Sequence, residues 1–157
     1  MVKPNIFKAT AAVFILYRVY TYIKGKQRLL DKAAFKVGAI SFRGIEGKKV
    51  VFDLAFNVEN TTQEEMKAGL FDFTVFANGL KIGTALNNDF VEIAPFSKIS
   101  IPFIIKTDVL ALGPAVKKLV QNFLTGKPIS VGIKGTMSIE TVPGVYNKIN
   151  VNKTETL

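Results

Sequence analysis

The chain has 157 residues, 48% of them hydrophobic with 13 Phe, which excludes disorder and fits one domain with an appendage. It has no Cys and no His, which excludes disulfides, thiolate nucleophiles, lipid-modified cysteines, ordinary zinc sites and the usual general base. The net charge of +9 is confined to one end: Met1 to Lys49 holds 11 Lys and Arg against Asp31 and Glu46, while the remainder balances 10 basic with 10 acidic residues.

Residues Ile6 to Ile23, IFKATAAVFILYRVYTYI, contain neither Gly nor Pro and predict a helix. Apolar residues run nearly all the way round it, with a weak polar stripe through Lys3, Thr10, Arg18 and Thr21. A helix apolar all round is buried in something. Its length is near the lower limit of about 17–25 residues for crossing a bilayer. Arg18 interrupts it, although snorkelling by Lys8 and Arg18, with Tyr17, Tyr20 and Tyr22 at an interface, would rescue a span. Ala9 to Tyr17 has the length of a signal-peptide core, but Arg18-Val19-Tyr20 is not a small-residue cleavage site. Three surroundings remain: a membrane, the subunits of an assembly, or the chain's own domain. Phe7, Val13, Phe14, Leu16, Tyr17 and Tyr20 are the expected membrane or assembly contacts.

The connector KGKQRLLDKAAFK follows. With Arg18, its Lys24, Lys26, Arg28 and Lys32 are the expected contacts to an anionic surface. Lipid head groups would attract them by about 1 kcal/mol each, and nucleic acid would do so through counterion release. A solvated linker is the plain alternative, and no aromatics are interleaved to stack bases. If the helix spans, the positive excess on its C-terminal side keeps the domain cytoplasmic.

From Phe35 the pattern becomes that of strands. Lys36 to Ile45 is the first, closed by Glu46-Gly47. Val50 to Asn60, VVFDLAFNVEN, is the clearest: Val50, Phe52, Leu54, Phe56 and Val58 share one face, so it is a half-buried antiparallel strand. TTQEEMK reads as a loop or helical turn, and Leu70 to Ala77 as a strand with Phe71, Phe73 and Val75 inward. Asn78-Gly79 predicts a tight hairpin, because both central residues of a type I′ turn need positive φ. Leu80 to Ala85 and Phe90 to Ile93 read as two short strands. Ile99, Ile101, Phe103 and Ile105 face inward on the next, where Pro102 demands an edge or a bulge. Asp108 caps a helix running to about Leu124, with Gly113-Pro114 delaying its start and Gly126 and Pro128 ending it. Ile129, Val131, Ile133, Met137 and Ile139 alternate along the next strand, and Pro143-Gly144 turns into Tyr146 to Val151. The tail NKTETL is expected to fray.

No chemistry-bearing constellation emerges. Asp53 and Asp72 fall on outward strand faces, and no two carboxylates are spaced as an acid/base pair. Glu64-Glu65 is far short of a calcium loop. Gly126-Lys127-Pro128 follows a helix, the wrong context for a phosphate-binding loop, and without His the usual serine triad has no base.

The stretch from about Phe35 to Leu157 resembles the type-2 late-embryogenesis-abundant family, whose module is also called the WHy (water stress and hypersensitive response) domain. Phe56-Asn57-Val58-Glu59-Asn60 is similar to the strand ending in that family's Asn-Pro-Asn signature. Ala77 to Gly83 is similar to its central hairpin, and Ile93-Ala94-Pro95 with Ile101-Pro102-Phe103 to its next strand pair. Leu124 to Pro128 matches the helix exit; Ile133 to Thr136 with Pro143-Gly144 matches the last hairpin. Thr61 stands where the family has Pro, and there is no Trp. The resemblance implies a non-catalytic β-sandwich of a family linked to desiccation or stress protection, some of whose members carry N-terminal membrane anchors.

The expected architecture is therefore mainly β: an antiparallel Ig-like β-sandwich of about seven strands with one inserted α-helix, preceded by an N-terminal apolar helix. Residues 1–34 form the helix and basic connector and 35–157 the sandwich. The expected role is non-enzymatic, without cofactor or small-molecule substrate: a module tethered to a membrane surface, protective or adaptor-like. A structural subunit of a large assembly such as a phage virion, its arm packed between subunits or near nucleic acid, is the alternative.

Overall fold

The computed structural model describes residues 14–21 and 34–157. Residues 14–21 form helix α1. The strands are β1 (Ala34–Glu46), β2 (Lys49–Glu59), β3 (Met66–Ala77), β4 (Leu80–Ile93) and β5 (Lys98–Asp108). Helices α2 (Val109–Leu112) and α3 (Pro114–Leu124) follow, then β6 (Ser130–Val142) and β7 (Val145–Thr156). Every pairing is antiparallel, in a three-stranded sheet of order β1-β2-β5 and a four-stranded sheet of order β4-β3-β6-β7. The expected sandwich of seven strands, preceded by a short helix, is what the chain forms.

Strict alternation makes β2 the central strand of its sheet: Val50, Phe52, Leu54, Phe56 and Val58 are all buried in the common core. The facing sheet answers with Phe71, Phe73 and Val75 of β3 and Val131, Ile133 and Met137 of β6. Aromatic rings tie the layers together. Phe56 lies 5.0 Å from Phe73 between centroids, and Phe71 lies 6.0 Å from Phe103 at a steep interplanar angle. These are the edge-on separations that aromatic quadrupoles favour. Helix α3 adds Val116 and Leu119 to the core and sets Phe123 5.2 Å from Phe52. Gly135 is obligatory in the middle of β6, because a Cβ there would lie 1.9 Å from the Asp72 carbonyl oxygen.

The turns follow their residue chemistry. Asn78 and Gly79 both have positive φ, 50° and 78°, as the type I′ hairpin requires. The Asn78 side chain also accepts a hydrogen bond from the Ser130 amide, pinning the hairpin to the start of β6. Pro102 stands opposite Ala55 on β5, which is an edge strand of its sheet, so the missing N–H is tolerated.

Four local expectations are corrected. The segment 80–93 is one long strand rather than two, since β3 pairs with it on both sides of a bulge at Asn88-Asp89, with Phe71 opposite Asn87 and Gly69 opposite Phe90. Strand β3 starts at Met66, which is fully buried, so the loop after β2 is confined to 60–65. The helical segment is two helices: Asp108 caps α2 by accepting from the Leu110 amide, and Gly113 (φ 55°) breaks the path before Pro114 opens α3. The C-terminal tail is not frayed. It pairs with β6 throughout and ends in reciprocal 2.9 Å bonds between the backbones of Ile129 and Leu157.

Candidate functional surface

Helix α1 carries the exposed apolar residues named from the sequence. Phe14, Leu16, Tyr17 and Tyr20 are exposed, as are Ile15 and Val19. On 3.6-residue spacing, Phe14, Tyr17, Arg18 and Thr21 form one row, Ile15 and Val19 a second, and Leu16 and Tyr20 a third. Apolar side chains thus face every direction. The Arg18 guanidinium sits over the Phe14 ring, 5.3 Å from its centroid, and the Thr21 hydroxyl donates to the Arg18 carbonyl at 3.0 Å. All eight residues, about two turns, are exposed. Among the described residues no helix is long and apolar enough to cross a membrane. Phe7, Val13, Lys24, Lys26, Arg28 and Lys32 lie outside the described residues, as do the flanks of the expected 6–23 helix.

Strand directions place two distinct poles on the sandwich. Ala34, the loop 60–65, the turn 94–97 and the turn 143–144 share one pole; α2, α3 and the hairpin at Asn78 share the other. The first pole is organised by Asn60, which is 1% exposed. Its amide nitrogen donates to the carbonyls of Glu64, Ile93 and Ala94 at 2.7, 3.1 and 3.2 Å. Its side-chain oxygen accepts from the amide and the hydroxyl of Thr62, and its backbone N–H donates to Ser97. One buried amide therefore locks two loops together. Sequence reasoning noted Asn60 only as part of a strand end. It missed Phe96 entirely, although a bulky apolar residue inside the turn Ala94-Pro95-Phe96-Ser97 is itself a signal. Phe96 has φ 52° and is 68% exposed.

The second pole carries shallow depressions around α3. One, of 230 Å³, is lined by Ala77, Asn78, Leu80, Ala115, Lys118, Leu119 and Asn122. It is smaller than the roughly 300–1,000 Å³ usual for a ligand pocket, whereas two others, of 610 and 400 Å³, reach that size but lie open to solvent. Two ion pairs lie on the sheet surface. Asp53 meets Arg43 at 2.7 Å and Glu46 meets Lys106 at 2.7 Å. The Lys106 ammonium, through its hydrogen bond and its charge, holds the Glu46 carboxyl below its ordinary value of 4.5. Asp108 is occupied as a helix cap. Among the described residues, no group of three acidic side chains converges as metal ligands would.

No family model matches the chain, and no curated protein matches it. Solved structures do. A protein from Archaeoglobus fulgidus is 13% identical, with 80% of this chain and 94% of that one covered at a TM-score of 0.45. A protein from Arabidopsis thaliana is 11% identical, with 78% and 79% covered at a TM-score of 0.47. A protein named a candidate late embryogenesis abundant (LEA) protein is 11% identical, with 96% of this chain and 85% of that one covered at a TM-score of 0.46. At these values the fold rests on the chain's own strand pairing rather than on the likeness.

Proposed function

We propose that the chain is a non-enzymatic β-sandwich module tethered to a membrane surface by its N-terminal helix, with a protective or adaptor role and its sandwich on the cytoplasmic side. Residues 1–34 serve as anchor and basic connector, and 35–157 as the module. The observation that carries the reading is the contrast in α1: a helical stretch apolar on every side whose residues are all exposed. Such a surface demands an apolar environment outside the domain. The basic residues Arg18, Lys24, Lys26, Arg28 and Lys32 suit an anionic lipid face beside it. A chain without His or Cys, whose sandwich acids are partly engaged in surface ion pairs and a helix cap, supports a binding role over a catalytic one. The order of strand and turn motifs shared with type-2 late-embryogenesis-abundant proteins supports the protective role.

Fractionation tests the reading. The full chain should pellet with membranes and need detergent for release, and a chain starting at Phe35 should be soluble and monomeric. Full-length protein that stays soluble without detergent as defined oligomers would overturn the tether and favour a subunit of a larger assembly.

A further inference from the structure

We infer that the outward side of α3 is a binding site for a small phosphate-bearing ligand, held by Lys117, Lys118 and Lys127. The site goes beyond the tether reading and does not depend on it. The three lysines share one open depression of 610 Å³ with Gln121, Asn122 and Thr125. That volume falls within the roughly 300–1,000 Å³ usual for a small-molecule site. Among the described residues, no carboxylate lines the depression, and the ion pairs made by Arg43 and Lys106 leave these three lysines out.

The charges on α3 do nothing for the helix itself. An exposed helix gains from a Glu four residues before a Lys, from acids in its first turn and from bases in its last. The sequence of α3, PAVKKLVQNFL, contains no acid, and its last turn holds no base. The fold nevertheless fixes where the lysines stand. Val116 and Leu119 are buried and Phe123 packs against Phe52, so Lys117 and Lys118 are left on the exposed side. Gly126, at φ 65°, turns the chain back at the helix exit. The Lys127 amide then donates to the Asn122 carbonyl at 3.0 Å, which sets Lys127 beside the same face. Three like charges on a rigid support repel one another until an anion joins them, and the support is preorganised for that anion.

The donor set selects the chemistry of the ligand. Planar carboxylates are best matched by the fork of Arg, whereas Lys binds phosphate as a point charge. The chain has no Arg after Arg43. Nucleic acid bases would stack on aromatic side chains, and none of the described residues lining the depression is aromatic. The field of the domain points the same way. Strand β2 runs from Lys49, opposite Asp108 and next to α2, to Glu59 at the far end. There Glu59, Glu64 and Glu65 outnumber Lys36 and Lys98. A domain neutral in sum is therefore polarised, and it steers anions towards α3.

Calorimetry on the full-length protein in nonionic detergent tests the site, with pyrophosphate as the probe and ionic strength held constant. One saturable site is expected. Lys117→Gln, Lys118→Gln and Lys127→Gln combined should weaken it by about tenfold or more. Their urea midpoint should not move, because all three side chains are exposed. Arg at the same three positions should keep the binding. Lys24→Gln, Lys26→Gln and Arg28→Gln combined, in the basic arm, should leave it unchanged. Phosphatidylcholine vesicles with and without phosphatidic acid identify the source of the phosphate. A gain from phosphatidic acid that the α3 variant loses marks a lipid headgroup; pyrophosphate binding without that gain marks a soluble phosphate. Neither saturable heat nor such a gain would overturn the site. So would an α3 variant that binds like the parent, or a loss seen only in the arm variant. Plain phosphatidylcholine vesicles report on the tether alone: failure to bind them would overturn the tether and leave the pyrophosphate result standing.

Discussion

Helix α1 and strand β2 are both rich in apolar side chains, yet they resolve that burden in opposite ways. In β2 the apolar residues alternate, so one face is removed from water by the opposite sheet and the other keeps Asp53, Asn57 and Glu59 near solvent. In α1 the apolar residues follow no period that leaves a polar face, and all eight positions are exposed. Two regions of similar hydrophobicity therefore differ in burial: one is covered by the domain and the other is not. Pattern, not content, decides which.

Breaking each region separately should sharpen this difference. Phe56 is 1% exposed and touches rings from both layers, so Phe56→Ala should lower domain stability by about 3–5 kcal/mol, read as a fall in the urea midpoint. Leu16→Asp should leave that midpoint unchanged, because Leu16 is 67% exposed, yet release the protein from membranes. A Leu16→Asp chain that loses stability as Phe56→Ala does would erase the distinction between the regions.

The end of β2 offers an intermediate effect. Asn60→Ala removes the donor to Ile93 and Ala94 and the acceptor for Thr62, leaving buried backbone groups unpaired. The expected loss is about 1–3 kcal/mol. Hydrogen exchange should localise it, with the amides of Thr62 and Phe96 losing protection while those in mid-β2 keep theirs. Uniform loss of protection would mean that Asn60 supports the whole sheet and not just the two loops.

Much of this was legible in the sequence where a residue type permits only one local solution. The alternation of Val50 to Val58, the Asn78-Gly79 turn, Pro102 at an edge and Asp108 as a cap each map onto the structure as read. Two of the failures share a cause. The polar run Asn87 to Asp89 and the tail Asn152 to Thr156 lack apolar alternation, but both lie on edge strands, where one paired side suffices and neither face must be apolar. Pairing partners, invisible to local pattern, decided them. For the candidate surface, the apolar helix was legible because its composition is extreme. Phe96 was not, because what sets it apart is a backbone angle and its place at the end of the sandwich that Asn60 organises. Strand count and direction must be known before either can be seen.

The smallest effect concerns the outer face of β2. Val51 is fully buried although it points away from the core shared by Val50 and Phe52. Lys106 stands opposite Val51 in the register, and its ammonium reaches across β2 to Glu46 on β1 at 2.7 Å. The carboxyl of Glu46 titrates below 4.5 in the folded protein, so the unfolded chain binds that proton more tightly. The pair's contribution is therefore complete above the ordinary carboxylate range and disappears as pH falls through the lowered folded value. Both partners are about half exposed, so the contribution is small and screened by salt. Lys106→Met should flatten the acid limb of stability against pH and its salt dependence, while its stem still shelters Val51. Lys106→Ala should flatten the same limb and lose further stability that neither pH nor salt restores. Equal stability of the two variants would mean that Val51 is sheltered by something other than this side chain, and the outer face of β2 would need no cover from Lys106.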